Sequence, residues 1–298
     1  MSAQFGHFFP AFFPHKNTSH PGKHVGKFSG KLGRVQDMEP VRTNYMQDYT
    51  LSELMVVAAA REIHDGDVVF VGMRLPLIAF VVAKHAHAPN AVGVFENGVL
   101  RSTPARELLF TMSDGPNLTG ALSCLTMLEC MALLQQGRVS LGFLGAAEVD
   151  RLGNLNSTEV RGPSGNPIRL PGSGGACDIA TLAHRFVVLL DHQKERLPER
   201  VHYITSPGNG PWRNGGRLKQ GGPAAAITTK AVLRFGDFEG TGGEAMLESY
   251  HPGVTVEEIV ASTGWPLQVS SKVRQTRAPN AKELRVIRAY DPQRFWTK

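Results

Sequence analysis

Three short segments carry residue types able to do chemistry. In VGVFENGVL, a carboxylate, Glu96, follows an apolar strand-like run and precedes Asn97-Gly98. A carboxylate at the end of a buried strand can be partly desolvated and serve as a base or a covalent nucleophile. The same spacing also suits an acid that pairs with a lysine or caps an Asn-Gly turn. In RLPGSGGACDIATLAHR, Gly172, Gly174 and Gly175 lie just before Asp178, which is expected to cap the helix DIATLAHR. Glycine-rich loops at helix starts expose backbone N–H groups that can hold an anion or a developing oxyanion. The loop has neither the Gly-Lys-Ser/Thr of a phosphate-binding P-loop nor the spacing of a dinucleotide fingerprint, and a merely tight turn is its simplest use. In EVDRLGNLNST a strand runs into a polar turn holding Asn154 and Asn156, for which turn formation is sufficient reason. The 11 histidines show no metal-ligand spacing, and no metal is expected.

Such residues need a frame. From Thr50 onward helical and strand patterns alternate. Residues 51–63 read as a helix capped by Thr50 or Ser52, and 75–88 as a buried helix with proline in its first turn. Residues 117–137 read as one long helix stopped by glycine. Segments 67–72, 91–98, 139–150, 185–191 and 201–208 read as strands, 226–235 as a hairpin or edge pair, and EEIVAST and AKELRVIRAY as a helical tail. Strands apolar throughout, with helices between them, indicate an α/β protein: an open, mainly parallel sheet with helices on both faces. Ligands bind beyond the carboxyl ends of such strands, where all three segments fall. No internal repeat or second-domain linker interrupts the pattern.

Composition narrows the function classes. The chain has 298 residues, 42% hydrophobic and 19% charged, enough for a substantial core. Its net charge of +6 is uneven: six cations against two acids put +4 in residues 1–42 and leave +2 for residues 43–298. The body therefore has no basic stripe for nucleic acid. No apolar run reaches the ~18 residues of a membrane span. Cys124, Cys130 and Cys177 suit buried free thiols in a reducing cytoplasm. Residues 1–42, rich in Phe, Pro, Gly, Lys and His, read as a disordered extension before a domain spanning 43–298. A mis-assigned start, with Met38 or Met46 as the true one, and an organelle transit peptide are the other readings of it.

In order and spacing, TNY (43–45), GMRLPLIAFVVAKHAHAP, FENG, FLGAAEVDRLGNLNST, LPGSGGACDIAT and YITSPG resemble the B-type subunits of family I coenzyme A-transferases. The resemblance is strongest to the glutaconate CoA-transferase β-subunit group. It implies an open α/β fold and a two-component enzyme that moves coenzyme A from an acyl-CoA to a small carboxylic acid. It also implies an A-type (α) subunit as partner, with the active site between the two chains. Coenzyme A would be substrate and product, and no cofactor would be required. The resemblance places the family's catalytic glutamate on Glu96 and an oxyanion donor, the second glycine of Gly-Gly-Ala, on Gly175. Gly174 then shapes that loop, and Asn156 matches the asparagine of the family's Gly-x-x-Asn turn. One departure concerns substrate: the glutaconate group reads Glu-Ser-Gly, whereas Glu-Asn-Gly here is the form of the 3-oxoacid transferases. The alternatives are a hydrolase, ring-opening hydrolase or decarboxylase acting on CoA thioesters on the same fold, whose members have generally lost the glutamate, and a non-enzymatic effector-binding module.

Overall fold

A computed structural model describes residues 49–162, 164–210, 213, 221–237 and 240–298. The expected extension over 1–42 and the TNY tripeptide lie outside these residues. Helix α1 (Leu51–Ala60) opens on a capping box: Glu53 N–H donates to Thr50 Oγ1 at 3.1 Å, and Thr50 N–H to Glu53 Oε2 at 2.8 Å. Strand β1 (Val68–Phe70), helix α2 (Leu75–Ala86), β2 (Val92–Val94) and β3 (Val99–Arg101) follow. Helix α3 (Gly115–Leu118), β4 (Ser123–Cys124), α4 (Met127–Gln135) and β5 (Leu141–Gly145) come next. Two hairpins, β6 (Glu148–Val149) with β7 (Leu155–Asn156) and β8 (Glu159–Arg161) with β9 (Pro167–Arg169), precede α5 (Ala176–Leu182) and β10 (Arg185–Leu190). The chain ends through β11 (Pro223–Thr228), β12 (Ala231–Arg234), β13 (Met246–Tyr250), α6 (Val256–Ala261), β14 (Gln268–Gln275) and α7 (Ala281–Tyr290).

Ten strands form one sheet in the order β14-β13-β12-β11-β10-β5-β1-β2-β3-β4. Its centre, β11-β10-β5-β1-β2, is parallel, while β12, β3 and β4 pair antiparallel at the flanks. Successive residues of the central strands feed two separate cores, as the two-residue period of a pleated strand requires. Val69, Leu141, Phe143, Val187 and Ile227 pack with α1, α2 and α7. Phe70, Leu144, Phe186, Val188 and Ala226 pack with α4, α5 and α6. Helices thus cover both faces, as the uninterrupted apolar strands implied.

Two expected elements differ. The long helix over 117–137 is broken, because Ser123 and Cys124 pair antiparallel with Leu100 and Val99 and Gly120 turns at φ +72°. Helix α4 starts only after Thr126, whose capping box with Glu129 fixes its first turn. Residues 201–208 form no strand and contribute one bridge, Ser206 to Leu155. The hairpin over 226–235 and the terminal helix over 281–290 stand where expected. Of the three free thiols only Cys130 is buried; Cys124 is exposed and Cys177 half-buried.

Beyond the carboxyl ends of β10 and β11 lies a buried polar network. His192 bonds Thr228 Oγ1 and Thr263 Oγ1 at 2.9 and 3.1 Å, and His251 bonds Thr276 Oγ1 and Thr228 O at 3.0 and 2.9 Å. Burial, helped by the charge of Lys230, pushes the His192 imidazole down to about 4, and burial lowers His251 as well. The unfolded chain takes up a proton near pH 6.5 that folded His192 refuses until about 4. Its contribution is therefore full above pH 6.5 and is lost as the pH falls towards 4. Between pH 7 and 5 this amounts to about 2 kcal/mol. Urea unfolding of wild type and His192→Asn at both pH values measures it: the variant should show the flatter pH dependence. Parallel slopes for the two proteins would remove His192 from this account.

Candidate active site

The Phe95–Gly98 turn that joins β2 to β3 sets Glu96. Gly98 N–H donates to Phe95 O at 2.9 Å, and Gly98 adopts φ +95°. An added Cβ at Gly98 would collide with Leu125 O, so this turn requires glycine twice over. Glu96 stands half-buried in the turn, two residues beyond the end of β2. Underneath, Cys130 Sγ donates to Phe95 O at 3.3 Å from the first turn of α4. Burial first, and the nearby Glu96 charge second, push the Cys130 thiol up, so it remains a protonated donor beneath the carboxylate.

The glycine loop reaches Glu96 from the other side. Gly175 N–H donates to Glu96 Oε1 at 3.1 Å, while no group among the described residues donates to Oε2. Gly175 is also the N-cap of α5, with φ −80°; Asp178 lies inside the first turn, and the capping role expected of it is not observed. The helix start is therefore three residues earlier than its side-chain chemistry suggested, and Ser173 Oγ accepts from the first-turn Cys177 N–H at 3.2 Å. An added Cβ on Gly175 would lie 2.9 Å from Glu96 Oε1 and 3.3 Å from Met131 Cε. Gly174, at φ +48°, adopts the left-handed conformation that turns the loop, and its added Cβ would lie 3.8 Å from the same oxygen.

Glu96, Gly174 and Gly175 thus come together, and Asn156 joins them only through the backbone. Asn156 is fully buried; its Nδ2 donates to Glu148 Oε2 and Glu159 O, both at 2.7 Å, and its Oδ1 accepts from Thr158 N–H at 3.0 Å. All its polar atoms are occupied inside the protein. Its neighbour Ser157 makes the link: Ser157 Oγ donates to Gly172 O, and Gly172 N–H to Ser157 O, both at 2.8 Å. Asn156 therefore sets the strand end to which the glycine loop is tied.

Sequence reasoning missed what lies behind Asn156. Glu148, 3% exposed, accepts from Asn156 Nδ2, from His202 N–H at 3.0 Å and from His202 Nδ1 at 2.5 Å. Nothing in the spacing of Glu148 and His202, 54 positions apart, announces the pair. It also missed Cys130 and Met131, although the Thr126-x-x-Glu129 capping box could have located the helix that presents them.

What the arrangement can do is hold one carboxylate oxygen and leave the other open. That geometry suits a nucleophile whose carbonyl carbon will itself be attacked, since Oε1 already meets a backbone N–H of the kind that stabilises an oxyanion.

Comparison with known proteins bears on the same segments. The family described as Coenzyme A transferase matches residues 52–262. The B component of 3-oxoadipate CoA-transferase from Pseudomonas knackmussii is 35% identical over 252 residues, covering 83% of this chain and 95% of that protein. The crystal structure of glutaconate coenzyme A-transferase from Acidaminococcus fermentans superposes with a TM-score of 0.74 at 30% identity, covering 84% of this chain and 98% of that one. A structure of the decarboxylase AibA/AibB superposes with a TM-score of 0.71 at 30% identity and the same coverage.

Proposed function

This chain belongs to the coenzyme A transferase family, and on that premise we propose that it is the B-type subunit of a two-component enzyme in which Glu96 is the covalent nucleophile. The observation that carries the reading is the 3.1 Å hydrogen bond from Gly175 N–H to Glu96 Oε1. Oε2 attacks the acyl-CoA carbonyl, the C–S bond breaks, and coenzyme A leaves as a thiolate from an acyl–glutamyl anhydride. The thiolate then attacks Cδ of Glu96, expels the donor acid as a carboxylate and leaves a glutamyl-CoA thioester. During that attack negative charge gathers on Oε1, where the Gly175 N–H already stands. The incoming acid runs the same steps in reverse, so the thioester bond is conserved and no water is consumed. A backbone donor so placed is worth ~3 kcal/mol.

Similarity to both a transferase and a decarboxylase means that the fold alone does not choose the reaction. The retained Glu96, held by its donor, favours transfer. A partner is supported by the surface around this site: Leu118 at the end of α3, Leu122 just before β4, and Met127 and Leu128 in the first turn of α4 are 51–80% exposed. Met131, on the same short helix, stands behind the Glu96–Gly175 contact. An apolar patch of this kind beside a reactive carboxylate suits coverage by a second chain. The α-type subunit implied by a B-type relative is the occupant we assign to it.

One experiment tests both parts. The chain is co-expressed with an A-type transferase subunit, sized, and incubated with an acyl-CoA in the absence of acceptor. A hetero-oligomer should form and the coenzyme A adduct should map to the FENG peptide. Transfer by the isolated chain at the rate of the complex would sink the two-component reading, and an adduct on another acid such as Glu148 would sink the nucleophile.

A further inference from the structure

The turn that holds Glu96 is fixed at its ends and loose in its middle. Phe95 N–H donates to Val99 O, Phe95 O accepts from Gly98 N–H, and Gly98 O accepts from Leu125 N–H, each at 2.9 Å. By contrast, no main-chain N–H or C=O of Glu96 or Asn97 has a hydrogen-bond partner among the described residues. Two side-chain contacts tie this central pair to the rest of the protein: Glu96 Oε1 with Gly175 N–H, and Asn97 Nδ2 donating to Met112 O at 2.7 Å. The second tie ends on a built support. Met112 O also accepts from Nδ2 of the fully buried Asn117 at 2.7 Å. The Asp114 carboxylate gathers Phe110 N–H, Thr111 N–H and Thr111 Oγ1 at 2.6–3.0 Å. Arg101, 2% exposed, donates to the carbonyls of Thr103, Pro104, Pro116 and Thr119 at 2.9–3.4 Å and to Asn117 O. A guanidinium whose N–H groups are spread over five carbonyls holds a stretch of backbone in one shape. Met112 O is therefore a fixed point, and the Asn97 amide is the arm that reaches it.

We propose that Asn97 is a positioning residue for the nucleophile: through Met112 O it pins the unsupported middle of the turn, so that the Glu96 carboxylate keeps its place against Gly175 N–H. The inference rests on the transferase reading for what Glu96 does; the contact itself does not. The amide is needed for its reach as well as its donor. A serine at this position falls one bond, ~1.3 Å, short of the carbonyl, and an aspartate has the reach but offers an acceptor to an acceptor.

Asn97→Ser and Asn97→Asp change an exposed side chain, so both proteins should fold and assemble with the A-type subunit as wild type does. In the assembled complex, with acyl-CoA and no acceptor, rapid quenching and mass analysis follow the glutamyl-CoA adduct. At saturating acyl-CoA it should form ~10-fold more slowly in each variant, because drift of a nucleophile by a fraction of an ångström costs about that much. The half-saturating acyl-CoA concentration should not change. In the isolated chain, deuterium uptake over residues 95–100 should be faster in the variants than in wild type, while uptake over 127–135 stays the same. Adduct formation at the wild-type rate in either variant would overturn the proposal. So would unchanged uptake over 95–100, or a slowing that saturating acyl-CoA removes. A wild-type complex that forms no adduct on Glu96 would sink the mechanism on which the inference rests. A normal wild-type adduct with unslowed variants would sink this inference alone.

Discussion

Glu96→Ala is expected to abolish coenzyme A transfer by the assembled enzyme while leaving its fold and assembly unchanged. The side chain is half-buried in a turn whose geometry is set by Gly98 and by the Phe95 backbone, so removing the carboxylate leaves no unpaired buried charge. On the proposed mechanism, what disappears is the covalent route. Without it an acid and a thioester must exchange directly, and no described group replaces the nucleophile. Glu96→Asp separates placement from charge. It withdraws the carboxylate by one methylene, ~1 Å or more from both the attack position and Gly175 N–H, and a displacement of that size can cost ~100-fold. The shortened carboxylate can still activate water as a general base, so slow acyl-CoA hydrolysis should outlast transfer in this variant. Steady-state assays of transfer and hydrolysis, with thermal melts as the folding control, distinguish these outcomes. Transfer by Glu96→Ala at the wild-type rate would end the assignment.

The sequence made the frame legible where a local rule and the fold agree. Thr50 and Glu53 form the capping box that their spacing suggests, and Asn280 with Glu283 starts α7 in the same way. The central strands, apolar on both sides, gave away a sheet covered on both faces. Legibility failed where pairing partners are remote. Ser123 and Cys124 sit in a helical pattern but are taken by β3, because tertiary pairing outweighs a propensity of a few tenths of a kcal/mol per residue. At the site, Glu96 and the glycine loop could each be singled out by residue type. Their meeting, 79 positions apart, could not. That Asn156 acts through Ser157 and Gly172, and that His202 hangs on Glu148, depends on side-chain contacts across hairpins that no spacing encodes.

Gly175→Ala provides the sharpest test of that meeting. With φ −80° and ψ 1° the position lies outside the left-handed region that favours glycine and is accessible to alanine, so the loop and α5 should survive, with melting within a few degrees of wild type. The N–H is retained as well. The only thing added is a methyl group 2.9 Å from Glu96 Oε1, and the carboxylate must move to make room. Loss of the donor's alignment with Oε1 should lower kcat by ~100-fold or more, the range seen when one oxyanion donor is removed. Gly174→Ala should behave in the opposite way. At φ +48° an alanine is strained by ~1 kcal/mol, but its methyl group stays 3.8 Å from Oε1, so stability should fall more than kcat. The steric origin of the Gly175 effect can then be checked against Glu96→Asp. A carboxylate already withdrawn by one methylene has less to lose from the added methyl group. The double variant should therefore lose much less activity than the product of the two single losses. If the two losses simply multiplied, Gly175 and Glu96 would be acting independently, and their contact could not be what orients the nucleophile.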